Sequence, residues 1–403
     1  MNDLKDGWLT NTAAINQLFI YIIYVIGLGI FMTDSKKELF AETVAIKQFS
    51  FYIGTNTNRA NEGIYFCRFN SESGQFTVPQ LAIEALNPNF IAFHSNGNFL
   101  YAVGDSNSPE PQKSGCVNAF SICKRTGKLS LINQVPSCGQ TPCHVILDKA
   151  GKYALISNYS TGNLSVLPVG ADGRLSEAST NIQHAGSSID SGRQQGPHIH
   201  SITLDADNRF AFVADLGLDK IMIYRFNPDS GILAPNDNMP YISIKPGSGP
   251  RHFAFHPDGN YAYIINEMSN TITAFSYDLS NGVLSEIQTI LTIPNGYTGD
   301  TYTSEIQVHP SGKYLYGSNR GHDSIAVFKI DNKGTLALVD IQSCGGKWPR
   351  HFCIDPTGNW MLVGNERSDQ INLFSIDLET GKLTQTESFI SVPSPVCIKF
   401  LPI

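Results

Sequence analysis

Two stretches of this chain pair an arginine with a glutamate at the same spacing. Pro250–Glu267 reads PRHFAFHPDGNYAYIINE, and Pro349–Glu366 reads PRHFCIDPTGNWMLVGNE. Arg251 faces Glu267 across the first, and Arg350 faces Glu366 across the second. A third arginine, Arg320, ends YLYGSNR, and the polar segment GRQQGPHIH from Gly192 adds Arg193, Gln194, His198 and His200. A histidine and a carboxylate that exchange protons, with guanidinium groups to hold an anion, make the kind of set that hydrolysis or proton transfer requires. Each Arg–Glu pair can also be read as a plain cross-strand ion pair, and the repetition of the pairing strengthens that plainer reading. His200 and Arg320 break the repetition and therefore say more about function.

These residues need elements that bring them together. The Asp-Gly of Pro250–Glu267 is a hairpin turn, because Gly adopts positive φ without steric cost. Related turns centre on Gly97, Gly151, Asn208, Gly259, Gly312 and Gly358, separated by 54, 57, 51, 53 and 46 residues. Self-similarity at such a period marks a repeat architecture. Each repeat has an apolar strand, the turn, a strand rich in Tyr, Val and Ile, and two further strands, the last opened by Gly-x-Leu. Four antiparallel strands of this kind form a propeller blade.

Six turns give six blades, and the ends supply a seventh. VPSPVCIKF from Val392 matches a first strand, and the segment from Phe51 matches the remaining three. The expected fold is all-β, a seven-bladed β-propeller over residues 46–403, closed by pairing of the N- and C-terminal strands. Closure also removes exposed strand edges. Counting eight residues back from each turn gives Asn89, Cys143, His200, Arg251, Ser304 and Arg350. Eight forward gives Asp105, Tyr159, Leu216, Glu267, Arg320 and Glu366. Both columns lie at the strand ends away from the turn and converge on one rim of the central channel. The next column contains His144, His252, Glu305 and His351, whose recurrence suggests bonds to neighbouring blades. The recurring Asn158, Asn266, Asn319 and Asn365 read as fixings of the ladder or the turns rather than as ligands.

Composition agrees with this reading. Of 403 residues 41% are hydrophobic and 16% charged, enough for a large core. The net charge of −7 argues against nucleic acid as a partner. Eight cysteines are scattered without a paired Cys or His cluster, so no metal site is expected. Residues 18–32, LFIYIIYVIGLGIFM, form an uncharged apolar run of 15. A bilayer span needs about 20. The length suits a signal or anchoring segment, implying export or membrane association. Lys36 and Lys37 where a cleavage site should lie suit an upstream extension to a cytoplasmic protein starting at Met32. Residues 1–45 are thus an extension of either kind.

At these residues the sequence resembles the seven-bladed lactonase group, which includes propeller-type 6-phosphogluconolactonases and carboxy-muconate lactonizing enzymes. The resemblance runs from Phe51 to the C-terminus. It rests on YIGT at Tyr52, NYSTGNLSV at Asn158, RQQGPHIHS at Arg193, FVADLGLDKI at Phe212, GPRHFAFHPDG at Gly249, and SNRGHDSIAVF at Ser318. It implies His200, Arg251, Glu267 and Arg320 as catalytic residues. Arg193, His198, Arg350 and Asp215 are expected to contact substrate. It further implies hydrolysis of a small anionic sugar lactone without a cofactor, as in the pentose phosphate pathway. Glu366 departs from the group by adding a negative charge at the mouth. A muconate cyclase-type reaction and a non-catalytic ligand-binding propeller are the alternatives.

Overall fold

The computed structural model describes residues 48–56, 63–106 and 115–402, and everything below concerns these residues. The apolar run 18–32 lies outside them. Strands account for nearly all regular structure, arranged as seven antiparallel sheets. Six are sequential four-strand meanders, one of them with an added fifth strand. The seventh is assembled from both ends of the chain. Pro395–Phe400 pairs with Gln48–Thr55, which pairs with Gly63–Asn70, and the facing residues include Phe51 with Phe400 and Ile53 with Ile398.

The innermost strands are Phe90–Phe93, Pro142–Leu147, Ile199–Leu204, Pro250–Phe255, Tyr302–Val308, Pro349–Ile354 and Pro395–Phe400. Each touches the innermost strand of the next blade, and the last touches the first. These contacts close a seven-bladed ring around a central channel. All six turn residues have positive φ, from 61° at Asn208 to 78° at Gly358. That conformation lets the two strands of each hairpin pair with their natural twist.

The blades adhere through aromatic residues on the second strand. Tyr52, Tyr101, Tyr263 and Tyr316 are fully buried. Each donates its hydroxyl to a glycine carbonyl in the following blade: Gly127, Gly173, Gly334 and Gly381, at 2.9–3.2 Å. A buried tyrosine needs such a partner, because leaving its hydroxyl unbonded costs about 1–3 kcal/mol. Apolar clusters continue between neighbouring sheets, as where Phe212 and Phe253 stack at 5.2 Å.

The asparagine column fixes turns, as its recurrence suggests. Asn158, Asn319 and Asn365 donate to the backbone carbonyls of Ser137, Thr292 and Cys344. Asn266 donates to the hydroxyls of Thr271 and Thr273.

Candidate active site

The rim residues owe their direction to an irregularity repeated around the channel. In blade after blade the register of the innermost strand slips at the rim position. Pro250 faces Asn266, and His252 faces Ile265, leaving Arg251 as an extra residue. Cys143, His200, Arg350 and Val396 are displaced in the same way, and Ser304 and Glu305 lie within a matching slip. Successive side chains of a regular strand point to opposite faces. A bulge bends the strand and re-aims the extra side chain. Arg251 and His252 can therefore both face the channel, one above the other, with Arg251 Nη1 3.1 Å from His252 Nε2. Asn89, Cys143, His200, Arg251, Arg350 and Val396 line one narrow central space with His252 and His351.

Glu267 is the hub of the mouth. Its Oε2 accepts from Arg251 Nε at 2.9 Å and lies 2.9 Å from Arg320 Nη2. Its Oε1 accepts from Arg193 Nη2 at 2.6 Å. Burial alone would raise this carboxyl, but Arg320, Arg251 and Arg193 together bring it down to about 2. Burial and the neighbouring Arg320 charge bring Arg251 down to about 9, so it remains a cation at neutral pH. Burial likewise lowers Arg320. Both arginines are braced by backbone: Arg251 Nη1 donates to Ser304 O, and Arg320 donates to the Tyr302 and Thr303 carbonyls.

His200 Nε2 lies 4.0 Å from Glu267 Oε2. Burial, with Arg251, His252 and Arg350 nearby, holds this imidazole well below its ordinary value. Its Nδ1 is buried with no hydrogen-bond partner among the described residues. The three histidines beneath are different. Ile202 N donates to His144 Nδ1, and Ile398 N donates to His351 Nδ1, each across to the neighbouring blade. Arg251 donates to His252 Nε2, so His252 Nδ1–H donates to Glu305 at 2.8 Å. Their tautomers are locked, whereas that of His200 is not.

Of the expected substrate contacts, Arg193 reaches the mouth directly. His198 is one step aside: its ring stacks on Tyr159 at 4.7 Å, and its Nδ1 donates to the Tyr159 carbonyl. Arg350 Nη1 lies 3.5 Å from Glu366 Oε2, and Asn56 Nδ2 donates to Glu366 Oε1 at 3.4 Å. Asp215 does not fit the expectation. It is fully buried, with Oδ2 2.7 Å from His184 Nδ1 and Oδ1 accepting from the backbone of His198, Gly217 and Leu218. Its carboxylate is consumed in holding the segment that carries Arg193 and His198, so it serves the site from beneath.

One residue counted on the rim was given no role, and one was missed. Tyr159 accepts from Arg193 at 3.2 Å and stands 5.6 Å from the His200 ring. Trp348 lies between two guanidinium groups, with Arg367 3.3 Å and Arg320 5.6 Å from its ring centre. Trp348 has φ +66°, nearly that of Gly249, which holds the same place before Pro-Arg-His. Comparing GPRH with WPRH could have revealed it, since a bulky residue in that conformation is strained.

Comparison with known proteins agrees with this architecture. Residues 50–400 match the family described as lactonase, 7-bladed beta-propeller. A Bacillus subtilis protein named 6-phosphogluconolactonase is 37% identical over 87% of this chain and 97% of its own length. A putative 6-phosphogluconolactonase from Bacteroides fragilis superposes with a TM-score of 0.81 at 36% identity, covering 88% of this chain and 98% of that one. A Pseudomonas aeruginosa structure described as a periplasmic gluconolactonase gives a TM-score of 0.83 at 31% identity, covering 88% and 99%. This chain belongs to the seven-bladed β-propeller lactonase family.

Proposed function

We propose that this chain hydrolyses a sugar-derived lactone, 6-phosphoglucono-1,5-lactone, to 6-phosphogluconate. The observation that carries the reading is one buried carboxylate shared by three guanidinium groups beside an imidazole of unlocked tautomer. The names of the Bacillus and Bacteroides relatives point to the same substrate.

Opening a lactone requires an attacking water, a stabilised oxyanion and a proton for the departing ring oxygen. Arg251 Nη2 and Arg320 Nη1 have no partner among the described residues and are the donors available to the carbonyl oxygen. Such preorganised donors act where negative charge develops. Glu267, held down to about 2, is a poor resting place for a proton. His200 is neutral, with neither ring nitrogen tied to the backbone among the described residues, and takes the proton of water. The imidazolium formed stands beside the Glu267 carboxylate, which stabilises it. Water oxygen bonds to the carbonyl carbon, the carbon–ring-oxygen bond breaks, and His200 returns the proton to that oxygen. The proton-transfer role is worth about 10²–10⁴-fold. Arg193, the most exposed of the three arginines, holds the substrate's anionic group. Paired N–H donors suit a phosphate.

A second reading is favoured by Glu366. Its negative charge beside Arg350 disfavours a phosphate there and suits unphosphorylated gluconolactone. Base consumption at constant pH, measured on both lactones against their spontaneous rates, separates the two. No turnover of either lactone above background would end the hydrolase proposal.

A further inference from the structure

The channel continues beyond the histidines. On the turn side lies a cavity of about 410 Å³. It is lined by His144, Thr203, Ala254, Glu305, Gln307 and Lys399, with Phe90, Ile146, Phe253 and Val308 among its apolar walls. None of the mouth residues Arg193, Arg251, Glu267 or Arg320 reaches it. Ligand pockets commonly run from about 300 to 1,000 Å³, so the space is ample for a small organic molecule.

Two groups in it lack a counterpart. The Lys399 ammonium lies 4.9 Å from the centre of the Phe90 ring, with no hydrogen-bond acceptor or ion-pair carboxylate among the described residues. His144 accepts at Nδ1 from Ile202 N. In its neutral form it therefore carries its proton at Nε2, where no described acceptor meets it. The one carboxylate present, Glu305, is already engaged. His252 Nδ1 is 2.8 Å and His351 Nε2 3.6 Å from its Oε2, and Gln307 Nε2 donates to its Oε1 at 3.3 Å. Both groups line the open cavity without a protein acceptor among the described residues, and a bound anion would supply one.

We propose that this far-side cavity is a second, non-catalytic binding site for a small monocarboxylate. Its head would meet Lys399 and His144 Nε2–H, and its short hydrocarbon body would lie against Ile146, Phe253 and Val308. One cation and one neutral donor match a single negative charge better than a phosphate dianion, and the apolar walls favour a carbon chain over an inorganic ion. The site is separated from the mouth by the histidine tier, so it stands whether or not the chain hydrolyses lactones.

The test is calorimetric titration of the full chain with butanoate at constant ionic strength. Lys399→Met keeps an unbranched side chain over Phe90 but removes the charge. It is expected to weaken butanoate binding about ten- to a hundredfold, the range for one charge-assisted hydrogen bond. Ala254→Leu, which narrows the cavity and leaves the charges alone, is expected to weaken binding too and stands in should Lys399→Met fold poorly. Arg193→Met is expected to bind butanoate as the wild type does, and Lys399→Met to keep its lactone turnover. No binding to the wild type, or equal affinity in Lys399→Met and Ala254→Leu, overturns the proposal. So does loss of binding in Arg193→Met, which would place the carboxylate at the mouth.

Discussion

Arg193 Nη2 lies 2.6 Å from Glu267 Oε1, although 74 residues separate them in the chain. The Arg193 side chain is 38% exposed, against 3% for Arg251 and 8% for Arg320. Of the three cations on Glu267 it is the one able to turn toward an incoming anion. Arg193→Met is expected to raise KM for the phosphorylated lactone about tenfold or more, the loss of one charge-assisted contact, with a smaller change in kcat. A variant with unchanged KM and reduced kcat would contradict this assignment.

His200→Ala should lose about 10²–10⁴-fold in kcat while remaining folded, the usual range for a proton-transfer group. Glu267→Gln, which removes the charge that stabilises the imidazolium and gathers three arginines, should lose most of its turnover. Glu267→Gln should also lose stability, because removing one partner of a buried ion pair costs about 3–5 kcal/mol. Added imidazole is expected to restore part of the activity of His200→Ala and none of that of Glu267→Gln. Circular dichroism checks the fold of each. Near wild-type turnover in either variant would dismiss the proposed chemistry.

Acid should destabilise the fold in two stages. Burial depresses His144, His200, His252 and His351, the last to about 3. As pH falls below about 6.5 the unfolded chain binds protons at these residues and the folded chain does not. Stability is therefore lost with decreasing pH. Glu267 acts later: its folded value of about 2 is below its ordinary 4.5, so its contribution is whole above 4.5 and disappears toward 2. Denaturant unfolding across this range measures the slope. His351→Asn should flatten the upper stage, and Glu267→Gln the lower. Equal slopes in wild type and His351→Asn would show that this histidine titrates normally in the fold.

Trp348 holds a backbone conformation that costs a bulky residue about 1–3 kcal/mol, and it packs against Arg320 and Arg367. Trp348→Gly removes the strain and the packing together. We expect thermal stability to be held or raised, and kcat/KM to fall about tenfold as Arg320 loses its support, the effect of roughly 1.4 kcal/mol in transition-state binding. A fall in melting temperature with kcat/KM unchanged would make Trp348 a structural residue only.

The chain's order of blades was legible because its signals are local. Gly259 and its counterparts specify turns through their own backbone freedom, and alternation of apolar residues specifies strands around them. Counting from those turns also gave the four residues His200, Arg251, Glu267 and Arg320, because antiparallel pairing converts equal sequence distance into a common height in the sheet. The tail from Val392 and the head from Phe51 announced the seventh blade in the same way.

What the sequence alone determined was therefore height along the channel, not direction or partnership. The bulge that turns Arg251 and His252 toward the same space is a property of register between two strands. Asp215 sits in a motif-like segment, yet its oxygens are taken by His184 and three backbone N–H groups. Arg193 comes to Glu267 from a segment whose path no periodicity describes. Only the folded ring decides which charges share a low-dielectric space, because Coulomb interactions depend on distance through space and on burial, and neither is written in the order of residues.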